Sequence, residues 1–221
     1  LPYAGICGIT KEELLTQMSD DIDELAENLE QSREETIEEL KSHYDGYHFC
    51  WPSPDVFNPY SLLNCFADGE IDSYWFGTGT PTYLINMMRK YDFLPADLGE
   101  TIEVGKKDFD APTETMTTIV PLLYQSGYLT IKKYNPILQS YQLDYPNKEV
   151  RVGMVRSLAP NYLSPISLNN NSFIFDFLEQ LYNNNMDGAL QKMQAYLASI
   201  SNRLANKNEK DFQTVFYLIF N

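Results

Sequence analysis

The sequence of 221 residues has only two histidines and three cysteines, and no two cysteines form a CxxC pair. This scarcity argues against a zinc site built from paired ligand motifs, and the odd number of cysteines is atypical of a disulfide framework. His43 and His48 lie near Asp45 and Cys50, but the H-x4-H spacing comes without a second ligand pair. We therefore expect no metal site and reduced thiols, as in a cytoplasmic protein.

Long apolar runs and nucleotide-binding motifs are also missing. No apolar run reaches the length of about 18 residues that would favour a transmembrane helix, and no signal peptide is recognisable. No GxGxxG motif occurs. The segment from Gly99 to Gly105 fails as a P-loop because five residues separate the glycines and no hydroxyl follows the lysine. Neither a Ser/His/Asp triad nor a catalytic carboxylate pair can be singled out.

Positive charge is scarce as well. The 16 Lys and Arg residues stand against 31 Asp and Glu, which gives a net charge of −15. Residues 11–41 hold 12 acidic and 3 basic side chains, so this segment alone supplies −9 of that charge. Such a charge disfavours non-specific binding of nucleic acid by the whole molecule. We interpret the acidic segment as a solvated helix surface, with a metal-binding or protein-binding surface as the alternative.

Several helix starts are visible in the sequence. Four segments begin with a capping residue that is followed by proline or, three residues later, by glutamate. They start at Thr10, Ser32, Asn58 and Thr80. The first two predict two or three acidic helices within residues 10–43, and the third predicts a helix that ends near Phe66.

The middle of the chain predicts a helix, two strands and another helix. Residues 113–126 are predicted to be helical, interrupted by Pro121. The alternating segments "YLTIKKY" and "SYQLDY" predict two strands joined by a turn at "NPILQ", and "NKEVRVGMVRSLAPNYL" predicts the second helix. This order resembles that of a winged helix. The predicted fold is mainly α with one small antiparallel hairpin.

The predicted hairpin and the helix that follows it carry a local excess of positive charge. Between residues 128 and 156, five Lys and Arg outnumber two acidic residues, and four tyrosines are interleaved. A winged helix with a basic face is suited to nucleic-acid contact, although winged helices also serve as packing or regulatory modules. The candidate nucleic-acid-binding residues are Lys132, Lys133, Arg151 and Arg156.

The C-terminal part predicts helices at about 173–184, 187–203 and from 208, after a polar linker at 164–173. The last segment, "FQTVFYLIFN", repeats apolar residues at 212, 215, 216, 219 and 220, which is the spacing of a buried helix face. An exposed face of this kind favours aggregation. We expect the final helix to fold back on helices 173–203 or to pack against a second copy of the chain.

Six segments occur in an order that resembles one group of bacterial proteins. They read "YAGICGITKEEL", "HYDGYHF", "FNPYSLLNCF", "YWFGTGTPTYLI", "PLLYQSGYLTIKKY" and "YQLDYPNKEVR". The chain resembles, over nearly all its length, the predicted AAA-ATPase-like proteins with a C-terminal PD-(D/E)XK nuclease-like domain. The resemblance implies a Walker A motif upstream of this chain and nuclease motifs downstream, with ATP and Mg²⁺ bound by the longer protein and neither by this chain alone.

The resemblance also implies roles for three residues. Gly79 and Pro81 in "TGTP" resemble the signature that opens the lid of related ATPases, where the proline lies near adenine. Glu209 resembles an acid on the first helix of the nuclease-like domain. A capped helix start and an exposed helix-terminal carboxylate are the plain structural alternatives.

The resemblance divides the chain into three parts. These are the tail of an ATPase core at 1–45, a helical lid with a winged-helix-like part at 46–163, and the start of a nuclease-like domain at 172–221. The expected function is to relay nucleotide state to nucleic-acid processing, with the flanking domains, nucleic acid and a second copy as partners and no membrane contact. The alternative is a non-enzymatic protein-interaction module. We expect this chain alone to be catalytically inactive.

Overall fold

The structure, a computed structural model, describes residues 5–75, 82–99, 101–162, 171–201 and 209–220. The predicted fold class is confirmed, since these residues form mainly α-helices and one small antiparallel sheet. The helices are α1 (Lys11–Gln17), α2 (Ser19–Asn28), α3 (Arg33–Tyr44), α4 (Pro59–Asp68), α5 (Thr82–Lys90), α6 (Lys106–Phe109), α7 (Val120–Gln125), α8 (Lys148–Tyr162), α9 (Asn171–Tyr182), α10 (Met186–Ser201) and α11 (Glu209–Phe220). The strands are β1 (Ile102–Gly105), β2 (Thr130–Asn135) and β3 (Ser140–Asp144), and a 3-10 turn covers Pro95–Gly99.

The helix starts follow the local capping signals. Thr10 and Ser32 both form complete capping boxes with the glutamate three residues later, at the starts of α1 and α3. Asn58 caps α4 by accepting the backbone N–H of Tyr60 at 3.0 Å, and Pro59 occupies the first turn. The helix runs to Asp68, two residues beyond the predicted end. These starts are set locally, because the capping side chains satisfy backbone N–H groups that have no partner within the helix.

The first four helices share one apolar core. Helix α4 packs with α1–α3, so the packing does not divide at residue 45, where the resemblance places a boundary. The buried side chains of this core are Leu14, Ile22, Leu25, Leu40, Tyr44, Phe57, Leu62 and Cys65. The acidic residues of α1–α3 are largely exposed, as expected of a solvated helix surface.

The sheet contains the predicted hairpin and one strand that the sequence did not predict. Strands β2 and β3 pair antiparallel, and β1 adds to the other edge of β3, which gives the order β1-β3-β2. Strand β1 has only four residues and no fully buried position. It is therefore too short for the alternation by which strands are recognised.

The predicted helix at 113–126 is wrong over its first half. Helix α7 begins only at Val120, and Pro121 lies in its first turn. Proline is favoured at a helix start because the N–H that it lacks would have no partner there. The helix ends before Gly127, which has a φ of +79°.

The second core forms around the sheet. It combines side chains of α5, α7, β2, β3 and α8, and α11 packs on α8 and on the 3-10 turn. The expectation that the final helix would fold back on α9 and α10 is therefore wrong in its main contacts. Helices α9 and α10 instead pair with each other around Phe177, Ala189 and Met193.

Two of the five predicted buried positions of α11 can be compared with the structure, and Val215 agrees whereas Phe216 does not. Val215, Tyr217 and Leu218 are buried, whereas Phe216 is 40% exposed. Tyr217 can be buried because its hydroxyl has a hydrogen-bond partner inside the protein, as described below. Within the described residues, no helix has the length and apolarity required to cross a bilayer.

We expect Gly46→Ala to lower the free energy of unfolding by more than about 2 kcal/mol. Gly46 has a φ of +92°, and an added Cβ would overlap the carbonyl oxygen of Pro146. Gly5→Ala is the matched control, because its Cβ would lie at an ordinary 3.5 Å from Thr10 and its φ is not positive. Urea denaturation of both variants measures the difference, and equal stabilities would contradict the assignment.

Candidate functional site

Five residues from the end of β3 into the first turn of α8, Tyr145 to Glu149, form a buried polar segment that we call the junction. Its Tyr, Asn and Glu side chains are all buried. Groups of the junction form hydrogen bonds with three segments that are distant in sequence. A buried polar group without a partner costs about 1–3 kcal/mol, so these bonds fix how the segments lie against one another.

Glu149 connects α8 to the segment that precedes α5. Its side chain is 1% exposed, and Oε1 accepts the backbone N–H groups of Tyr74 at 2.7 Å and of Trp75 at 2.9 Å. Burial raises the pKa of Glu149, and these hydrogen bonds partly oppose that shift. The carboxylate therefore holds the backbone that leads toward residues 76–81.

The junction also contacts the end of α3. Asn147 donates from Nδ2 to the carbonyl oxygen of Asp45 at 3.0 Å, and its Oδ1 accepts the N–H of Val150 at the start of α8. Lys132 donates from Nζ to the carbonyl oxygens of Gly46 at 3.2 Å and Pro146 at 2.8 Å. Three parts of the chain thus meet at one backbone crossing.

A third contact reaches the final helix. The hydroxyls of Tyr145 and Tyr217 lie 2.9 Å apart, and both side chains are buried. The Arg151 guanidinium lies 5.7 Å from the centre of the Tyr145 ring. Burial raises the pKa of both tyrosines, so both hydroxyls stay protonated and one donates to the other.

A cavity of 470 Å³, which we call the aromatic cavity, lies on the side of the sheet where α4 begins. It is lined by Tyr47, Phe49, Trp75 and Tyr124, with Asn58, Gly127 and Thr130 between them. Its lining residues come from five of the six segments that carry the resemblance to the ATPase-like proteins. Its size is within the range of small-molecule sites.

The predicted basic residues do not form a single surface. Lys132 points into the junction, where burial lowers its pKa, and it is not free to bind phosphate. Lys133 and Arg151 are exposed, whereas Arg156 lines a separate small cavity with Lys148, Asp72 and Glu149. Contact of Lys133, Arg151 and Arg156 with nucleic acid stays a prediction.

Of the three residues to which the resemblance assigns roles, the structure describes only Glu209. Gly79 and Pro81 lie outside the described residues, and Glu209 is exposed at the start of α11, as expected of a helix-terminal carboxylate. No group of three His, Cys, Asp or Glu suited to a metal ion occurs among the described residues. The described lining of the aromatic cavity contains no Lys or Arg, so it does not fit a nucleoside triphosphate with Mg²⁺.

The sequence did not indicate that Asn147 and Glu149 connect distant segments of the chain. A weak signal was present, because Asn147 precedes α8 and has the residue type of a helix cap. Glu149 gave no signal, since a glutamate in the first turn of a helix is usually exposed. Only the packing of Tyr74 and Trp75 against α8 places it in the interior.

The geometry thus defines a mainly α-helical protein with a three-stranded sheet and a buried polar junction. No family model matches the chain, and no solved structure matches it. It is similar to "Uncharacterized protein in vnfD 5'region" of Azotobacter chroococcum mcd 1, with 30% identity over 236 residues. The match covers 99% of this chain, which spans 41% of the length of that curated relative.

We expect Glu149→Gln to gain stability relative to the wild-type protein as the pH rises. Because the pKa of Glu149 is raised in the folded protein, its stabilising contribution is complete below the unfolded value of about 4.3 and is lost as the pH rises through the raised pKa. Glutamine does not ionise and still offers an oxygen to the two backbone N–H groups. Urea denaturation at a series of pH values tests this, and a difference that is constant or falls with pH would contradict it.

Substitution of the two neighbouring lysines separates a structural role from a binding role. We expect Lys132→Glu to lower the free energy of unfolding by about 3 kcal/mol, because it places a carboxylate against two carbonyl oxygens. We expect Lys133→Glu, at an exposed position, to change it by less than about 0.5 kcal/mol. Equal effects on thermal denaturation would show that Lys132 is not held as described.

Proposed function

We propose that this chain is the lid and relay part of a longer AAA-ATPase-like protein with a nuclease-like domain. In this proposal, the chain performs no reaction itself. It transmits the state of a nucleotide-binding domain that precedes it to a nucleic-acid-processing domain that follows it. The observation that carries the proposal is the junction, which makes hydrogen bonds to all three parts into which the resemblance divides the chain.

In this proposal, the relay runs through the contacts of the junction. Asn147 is bonded to the end of α3, in the part assigned to the ATPase core. Glu149 is bonded to the backbone that leads to Gly79 and Pro81, and Tyr145 is bonded to α11, in the part assigned to the nuclease-like domain. Movement of one segment therefore strains or breaks a buried hydrogen bond to the others, which is a means of coupling distant parts.

The similarity to a longer protein supports the proposal indirectly. More than half of the Azotobacter relative lies outside the match, so that protein has room for further domains. The described lining of the aromatic cavity has no Lys or Arg, and no metal-binding group of three acidic, His or Cys residues occurs in the described part of the chain. We therefore assign nucleotide chemistry and metal-dependent cleavage to other parts of the longer protein.

A non-enzymatic interaction module is the second candidate, and one observation favours it. Helices α9 and α10 expose four large apolar side chains where they meet. These are Leu181, Tyr182, Met186 and Leu190. Scattered apolar residues on a surface are ordinary, but a group of four at one helix-helix corner is typical of a protein contact.

The full-length gene product tests the proposed relay. We expect ATP to change its rate of DNA or RNA cleavage. We expect Tyr217→Phe to reduce that effect of ATP while the rate without ATP is kept, because the substitution removes the hydroxyl that bonds to Tyr145. Tyr182→Phe is the matched control, since Tyr182 is 90% exposed. Cleavage assays with and without ATP measure both rates.

Two results would count against the relay. A full-length protein that neither binds ATP nor cleaves nucleic acid would favour the interaction module. Unchanged coupling in Tyr217→Phe, in a protein with both activities, would show that the junction does not carry the signal.

A further inference from the structure

Five aromatic side chains are among the described residues that line the aromatic cavity, namely Tyr47, Phe49, Phe57, Trp75 and Tyr124. The Tyr47 and Phe49 rings are nearly parallel, with centroids 6.4 Å apart and an angle of 16° between their planes. Gly127 lies between Tyr47 and Trp75, and a Cβ at this position would be 3.7 Å from the first ring and 3.5 Å from the second. Other residues rarely adopt the φ of +79° found at Gly127, and they would add a Cβ between the two rings. Glycine therefore leaves this space open.

The charge around the cavity is negative. Asp110 is the one carboxylate among the described residues that line it, and no lysine or arginine is among them. The adjoining sequence segments 1–4 and 76–81 also lack Lys and Arg. Burial raises the pKa of Tyr124, which lines the cavity, and the negative charge of Asp110 adds to that increase.

Several polar side chains of the cavity already have partners within the protein. Gln125 donates to the carbonyl oxygen of Ala111 at 2.7 Å, and the Thr130 hydroxyl bonds to both the N–H and the carbonyl oxygen of His48. The His48 Nδ1 lies 3.3 Å from the Asp55 carboxylate. The Tyr47 hydroxyl is an exception, since it is buried without a hydrogen-bond partner among the described residues. With no Lys or Arg among the described lining residues, the aromatic rings and the Asp110 carboxylate favour a cation over an anion.

We infer that the aromatic cavity binds a small organic cation with an alkylammonium group. Ring faces attract such cations through their negative quadrupole, and a nearby carboxylate adds to that attraction. Phosphate-bearing ligands are disfavoured by the same features. This ligand site is separate from the nucleotide chemistry of the proposed function and does not depend on it.

Choline and its neutral carbon isostere, 3,3-dimethylbutan-1-ol, are probes of nearly equal shape that differ in charge. They are titrated into the 221-residue protein with Trp51→Phe, so that Trp75 is the only tryptophan and reports binding by fluorescence. We expect choline to bind at least about tenfold more tightly than the alcohol. Calorimetry with the wild-type protein repeats the titration without the Trp51 substitution.

Charge variants locate the site. We expect Asp110→Asn to weaken choline binding roughly threefold or more and to leave binding of the alcohol unchanged. Glu114→Gln is the matched control, because Glu114 is exposed in the same loop and does not line the cavity. We expect inorganic phosphate and ATP not to displace choline.

Four results would overturn the inference. They are the absence of saturable choline binding, equal affinities for choline and the alcohol, equal effects of Asp110→Asn and Glu114→Gln, and displacement of choline by phosphate or ATP at constant ionic strength.

Discussion

The structure depends on one constraint, which is the need of the buried polar groups of the junction for hydrogen-bond partners in distant segments. The Glu149 Oε1 atom, the Asn147 amide and the Tyr145 hydroxyl find partners in three other segments, while Glu149 Oε2 is buried without a hydrogen-bond partner in the described part of the chain. Since each lost partner costs about 1–3 kcal/mol, these segments are held together in one arrangement. The apolar cores supply most of the stability, while the junction determines which segments meet.

The same constraint explains how an acidic chain uses its few cations. Lys132 would otherwise add to a basic surface, but its ammonium group donates hydrogen bonds to two carbonyl oxygens at the junction. The aromatic cavity has no cation among its described lining residues and has a carboxylate at Asp110. The two features therefore differ in chemistry. The junction satisfies polar groups within the protein, whereas the cavity offers ring faces and negative charge to a ligand.

Elements could be predicted from the sequence when the groups that stabilise them lie close together in the chain. Capping boxes and the Asn-Pro start of α4 were predicted because the groups involved are within four residues of one another. The first half of the 113–126 helix was predicted wrongly because Pro121 was read as an interruption, whereas it begins a helix. Lys132 and Lys133 were treated alike, yet Lys132 has no paired residue on β3 and lies at an irregularity in the β2 register. Such an irregularity redirects one side chain and leaves no mark in the sequence.

The sequence by itself determined the fold class, the capped starts of α1, α3 and α4, the β2–β3 hairpin and the acidic surface of α1–α3. These follow from short-range hydrogen bonds and from hydrophobic periodicity, which a linear sequence contains. Only the tertiary structure decided that Glu149 is buried, that Tyr217 meets Tyr145, and that α11 packs on α8. The physical reason is that burial and pairing of polar groups depend on residues that lie about 70 or more positions apart in the sequence, and no local pattern specifies which of them will meet.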